Sequence, residues 1–252
     1  MSVGTLVLIS ILICIVATLY SSVGHGGASG YLAVLSFFAF APATMSSTAL
    51  VLNILVAGVA LHSYARAGHL SLKLSWPFIL LSVPAAFVGG VLPVSDRTYF
   101  LILAGVLLIA AVRLVKSTLQ PQVETEQKRA SLAVSLPIGA GIGLLSGVVG
   151  VGGGIFLSPV MILMRWADAK RTSATSALFI VVNSLAGLGG RFAKGGVQAE
   201  DVLPLILAAF VGGLVGSYYG ANKFSGLMLR RVLSVVLVVA AVKMVIASWV
   251  IH

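Results

Sequence analysis

The chain has 252 residues, of which 59% are hydrophobic and 9% charged, and its net charge is +10. A soluble domain carries about a quarter charged residues, so a water-solvated surface around a core is excluded and the solvent must be lipid. The basic residues sit between long apolar runs, where Lys and Arg set membrane orientation, so the positive charge reads as a topology signal and not as a nucleic-acid surface.

Apolar stretches of about 17–25 residues can cross a bilayer as helices, and the chain offers them in succession. The first, near 3–22, has no positive flank beyond the α-amine and is followed by hydrophobic segments throughout. It is therefore expected to be a retained span and not a signal peptide. Cys14 lies in it and is the sole cysteine, which leaves no internal disulfide and no cysteine-rich metal site. At 24–30 the sequence reads GHGGASG, and a short apolar arm follows near 29–41. Further spans are predicted near 45–65, 72–92 and 97–117. The first of these opens with Ser46-Ser47-Thr48 and carries Asn53. A polar linker, Gln120 to Arg129, then marks the middle of the chain.

The pattern restarts with a span near 131–149, the cluster GVGGG at 150–154 and a second short arm near 155–165. A span near 173–193 follows, entered through Thr172-Ser173-Ala174-Thr175-Ser176 and carrying Asn183, and then spans near 201–221 and 228–251. Trp76, Trp166 and Trp249 fall near segment ends, as interfacial anchors do. None of the six acidic residues, Asp96, Glu124, Glu126, Asp168, Glu200 and Asp201, lies deep inside an apolar run.

Four motifs recur in order. Val23-Gly24-His25-Gly26-Gly27-Ala28 returns as Val149-Gly150-Val151-Gly152-Gly153-Gly154, and Ser63-Tyr64-Ala65-Arg66-Ala67-Gly68 as Arg191-Phe192-Ala193-Lys194-Gly195-Gly196. Ala86-Phe87-Val88-Gly89-Gly90 matches Ala209-Phe210-Val211-Gly212-Gly213, and Ala110-Ala111-Val112-Arg113 matches Ala240-Ala241-Val242-Lys243. The offsets stay between 123 and 130 residues. The chain is thus predicted to be two duplicated halves, 1–119 and 131–252, joined by a linker at 120–130.

The charge pattern then selects a topology. If each half crosses four times, the halves are parallel and the 16 basic residues split nine to seven, which is no bias. If each short arm turns back as a hairpin, the second half is inverted. Twelve basic residues then share one side, with only Arg97, Arg191, Lys194 and Lys243 on the other. The excess belongs in the cytoplasm, which places both termini outside. The expected fold is all-α and polytopic: two inverted repeats, each a glycine-broken helical hairpin plus three transmembrane helices.

The two clusters admit two readings. Small residues are enriched wherever membrane helices touch, and that packing role is the preferred one for Gly89-Gly90 and Gly212-Gly213. Runs as dense as 24–30 and 150–154, however, break a helix. Each arm would then present a helix N-terminus whose free N–H groups and dipole favour an anion. Inverted halves would aim two such ends at one site. The candidate substrate contacts are accordingly His25, Gly26, Gly27, Ala28, Gly152, Gly153 and Gly154. Asn53 and Asn183, costly in hydrocarbon, and the hydroxyls of Ser47 and Thr175 are expected to line the same cavity. His25 is the one ionisable group at a cluster tip, with Val151 at the matching place. It is either a donor to the anion or carrier of a coupled proton, or a hydrogen-bonded structural residue. His62 and His69 sit near a predicted cytoplasmic loop, and four scattered histidines make no metal site. The second cluster lacks the Lys-Ser/Thr of a nucleotide loop, so no cofactor is expected, and nothing resembles the constellation of an enzyme.

The paired glycine clusters, TMSSTALVLN at 44–53 with its counterpart RTSATSALFIVVN at 171–183, and the duplication itself resemble the TauE/SafE sulfite exporter family over essentially the whole chain. That resemblance implies a small carrier of the bacterial inner membrane, moving sulfite, a sulfonate or a related small organic anion, typically outward. The expected function is secondary transport by alternating access between the repeats; a passive anion channel is the alternative. The expected partners are the anion, the bilayer and, through His25, coupled protons.

Overall fold

In a computed structural model of the protein, the described residues are 2–22, 24–116, 130–195 and 202–220, with 238, 241–246 and 248–249 near the end. The polar linker and most of the predicted final span lie outside the described residues. Helices are the secondary structure throughout the rest. They are α1 (Val3–Ser21), α2 (Ala28–Phe37), α3 (Pro42–Arg66), α4 (Leu72–Val91), α5 (Asp96–Lys116), α6 (Leu132–Val149), α7 (Gly154–Leu163), α8 (Ala169–Gly195) and α9 (Val202–Gly220). By length and composition, α1, α3, α4, α6 and α8 can each cross a bilayer. In lipid every backbone polar group must find its partner inside the protein, which a helix achieves unaided.

Breaks fall where the glycine clusters do, between α1 and α2 and between α6 and α7. The arms α2 and α7 are shorter than predicted, ten residues each. Ala39 (φ 56°) and Arg165 (φ 57°), 126 positions apart, turn the backbone left-handed just past each arm, and such a residue stops a helix. The next helices start earlier than predicted. Pro42 opens α3 at a first-turn position, where a missing N–H costs nothing. Asp168 accepts from the Arg171 amide (2.9 Å) and so caps α8.

Packing is reciprocal between matching helices. α1 packs on α9 and α6 on α4; α9 packs on α3 and α4 on α8; α2 packs on α3 and α7 on α8. Along α4 and α6, Phe78 meets Gly139, Ser82 meets Gly143 and Ala86 meets Gly147, so these two helices run in the same direction. A Cβ at any of the three glycines would fall 2.0–2.3 Å from a carbonyl oxygen of α4, so bare backbone is required for the approach. Gly89 and Gly90 lie against the backbones of α6 and α8, and Gly212 against that of α1, which is the packing role expected of those pairs. By contrast α3 and α8 are antiparallel: Leu50 neighbours Gly187, Asn53 and Ile180 both abut Gly26, and Tyr64 and Ser173 both abut Gly24. These two are also the most enclosed spans, 61% and 56% buried against 28–44% for the other three, so they form the centre.

One expectation needs correcting. Trp166 is not an interfacial anchor; it is buried with Phe78, Leu157 and Met161, its ring 5.5 Å from that of Phe78. Trp76 and Trp249 are exposed, as anchors should be. Ser46 donates to the carbonyl of Pro42 one turn back (2.7 Å), which is the backbone-satisfying role open to any membrane hydroxyl.

Candidate functional site at the two helix breaks

Each break is a tight turn closed by its own backbone. After α1, the amides of Gly24 and His25 donate to Ser21 O (3.0 Å) and Tyr20 O (2.9 Å). Gly27, left-handed at φ 97°, then starts α2. After α6, the Gly150 amide donates to Ser146 O (2.8 Å) and Gly153, at φ 84°, starts α7. A side chain at either N-cap would be strained in that backbone. The first N–H groups of α2 and α7 have no intrahelical acceptor and carry the positive end of the helix dipole.

The two breaks meet. A pocket is lined by Tyr20, His25, Gly26, Gly27, Ala28 and Ser29 from the first hairpin, Val151 and Ile155 from the second, and Ile180 of α8. Its free volume is about 10 Å³, roughly one water. Among the described residues no carboxylate lines it.

Asn53 ties the breaks together. It is fully buried, and its Nδ2 donates to Val151 O (3.1 Å) in the second break. Its Oδ1 makes no hydrogen bond and lies against Gly26 of the first. A Cβ on Gly26 would come within 2.4 Å of Oδ1, and one on Gly152 within 2.6 Å of Nδ2. Asn53 fits between the loops only because both positions are glycine. Ile180 abuts the same two glycines from α8, so the site has one polar wall and one apolar wall.

His25 faces the opposite half of the chain. Its Nε2 and the Ser158 hydroxyl of α7 share a hydrogen bond (2.9 Å), and Ser158 is hydrogen-bonded to Ser176 of α8 (2.7 Å). Tyr20 and Ser29 form a second buried hydroxyl pair (2.7 Å).

Of the residues singled out from sequence, His25, Gly26, Gly27 and Ala28 line the pocket, and Gly152 abuts Asn53. Gly153 packs on Phe179 and Gly154 on Ile180. Ser47 is buried on α3. Thr175 accepts from Ser75 of α4 (3.2 Å). Asn183 donates to Phe179 O of its own helix (2.8 Å), and the residue opposite Asn53 is Ile180. Tyr20, Ser158 and Ile180 carried no sequence signal of their own. Ser158 and Ile180 are ordinary members of apolar runs, and only the crossing of the hairpins brings them to the site.

The family described as Sulfite exporter TauE/SafE matches residues 9–244. The chain is similar to the probable membrane transporter protein y4hK of Sinorhizobium fredii (strain NBRC 101917 / NGR234), at 34% identity over 232 residues that cover 91% of this chain and 94% of that one. It is also similar to the probable membrane transporter protein YdhB of Bacillus subtilis (strain 168), at 24% identity over 233 residues covering 90% and 93%. No solved structure matches the chain.

Proposed function

Because this chain belongs to the TauE/SafE sulfite exporter family and is a membrane transporter of that type, we propose that it is a secondary carrier for a small oxyanion or sulfonate. The observation that carries the proposal is the meeting of two half-helix N-termini, each set by a left-handed glycine, at one pocket that no carboxylate among the described residues lines. The amides of Gly26, Gly27, Gly153 and Gly154 hold the anion, Asn53 grips both loops around it, and His25 tunes the local charge. The halves act as inverted repeats that rock against one another to alternate access. The antiparallel crossing of α3 and α8, which are matching helices, supports this.

Both termini then lie outside, in the inner membrane of a bacterial cell, and export is the working direction. Among the four basic residues on the minority side, Arg191 and Lys194 donate to backbone carbonyls at the ends of α6 and α4. Lys243 donates to Ser36 O at the end of α2, and Arg97 lies 5.3 Å from the Trp249 ring centroid. Each has a structural task, which supports leaving the orientation to the other twelve.

The test is uptake of labelled sulfite into proteoliposomes of the purified protein, with and without a pH gradient, with acetate and sulfate as competitors. Saturable, gradient-sensitive uptake is expected. Currents far above carrier turnover would mean a channel, and no uptake of any of these anions by folded protein would overturn the anion assignment.

A further inference from the structure

Each glycine break brings two helix ends of opposite polarity together. The N-terminus of α2 or α7 favours an anion, while the C-terminus of α1 or α6 just before it opposes one. How the terminal carbonyls are satisfied therefore decides the field at the break. On α1 they are met by neutral groups of the same segment: the Ser22 hydroxyl donates to Leu19 O (2.7 Å), the His25 amide to Tyr20 O and the Gly24 amide to Ser21 O. On α6 they are capped from across the fold by a permanent cation. Arg191 Nη2 of α8 donates to Gly147 O (2.9 Å) and Val148 O (2.8 Å), and the Tyr99 hydroxyl of α5 donates to Val149 O (3.2 Å). Arg191 Nε is buried and makes no hydrogen bond. Among the described residues the one ion pair is Asp168–Arg171, at the exposed start of α8, and none of them pairs a carboxylate with this guanidinium. The loop it anchors is the one Asn53 grips at Val151 O.

Resting on the anion-carrier reading above, we propose that Arg191 is a positioning residue that makes the second glycine break the charge-bearing half of the anion site. Its guanidinium cancels the negative end of α6 and leaves the positive end of α7 unopposed. It does not line the pocket and acts through the field of the helix ends. The first break, capped by neutral groups, supplies shape and hydrogen bonds.

The test separates charge from capping. Arg191→Gln keeps a carboxamide donor and discards the charge; Arg191→Lys keeps the charge; Tyr99→Phe removes a neutral cap from the same helix end. In proteoliposomes with labelled methanesulfonate and labelled sulfite, Arg191→Gln is expected to raise KM about tenfold with little change in kcat or melting temperature. Arg191→Lys should stay within about threefold of wild type, because a cation at the helix end is retained, and Tyr99→Phe should leave KM near wild type. Wild-type KM in Arg191→Gln, or an equal rise in Tyr99→Phe, overturns the proposal while leaving anion transport intact. If Arg191→Gln does not fold, Arg191→His gives the comparison within one protein. Its KM for methanesulfonate, whose own charge is constant, must fall relative to wild type as the imidazole gains its proton; a parallel pH dependence overturns the proposal. If wild type moves neither anion, the anion reading fails and this inference with it.

Discussion

Two asparagines look equivalent in the sequence and do different work. Asn53 spans both breaks, whereas Asn183 satisfies a carbonyl of its own helix. Replacing Asn53 with leucine leaves the buried Val151 carbonyl without a donor, a loss of about 1–3 kcal/mol. Asn53→Leu should therefore lower sulfite transport per folded molecule by about tenfold or more, and Asn183→Leu should keep most of it. Uptake normalised to folded protein by size-exclusion chromatography checks both, and equal effects would remove Asn53 from its special place. Gly153→Leu puts a side chain at φ 84°, where its Cβ would lie 2.7 Å from the Phe179 ring and 2.8 Å from Ile142. It should abolish transport even where the protein is still recovered folded, because the start of α7 moves.

Among the helices, close approach of α4 to α6 depends on particular glycines and not on glycine content. A Cβ on Gly143 would meet Ser82 O at 2.3 Å, while one on Gly141 has nothing within 4 Å. Gly143→Ala should therefore lower the melting temperature in detergent sharply. Gly141→Ala should be neutral or raise it, since alanine in a helix interior is favoured over glycine by roughly 0.5–1 kcal/mol. If both variants melt alike, the contact between α4 and α6 is not backbone to backbone. Among the described residues the segment limits were legible in the sequence to within a few residues, because apolar length and glycine density are local properties of the chain. Where the arms stop was not. Ala39 and Arg165 adopt a left-handed backbone that no composition rule assigns to alanine or arginine.

For the whole molecule, the inverted topology makes a prediction independent of transport. Cys14 is the only cysteine, so Cys14→Ser gives a background for single labels. With Pro93→Cys between α4 and α5, an impermeant thiol reagent added outside intact cells should react. With Ala67→Cys between α3 and α4 it should react only after permeabilisation. Both positions are exposed, so accessibility within the protein does not confound the result. The reverse pattern would invert the orientation drawn from the twelve-to-four bias, and reaction from one side at both would break the alternation of spans.

The sequence by itself determined the solvent, the positions of the helices and their two breaks, and the resemblance between the halves. Each of these follows from the local free energy of placing apolar, charged or glycine residues in a bilayer. It also marked the glycines that meet, because a helix broken in lipid must be satisfied by something. Which side chains stand at that meeting was decided by tertiary structure alone. Ile180 faces Asn53, Ser158 holds His25, and Arg191 closes the end of α6. Their partners lie 127, 133 and 44 positions away in the chain. No local periodicity encodes such pairings, since they exist only once α3 crosses α8 and the two hairpins are brought tip to tip.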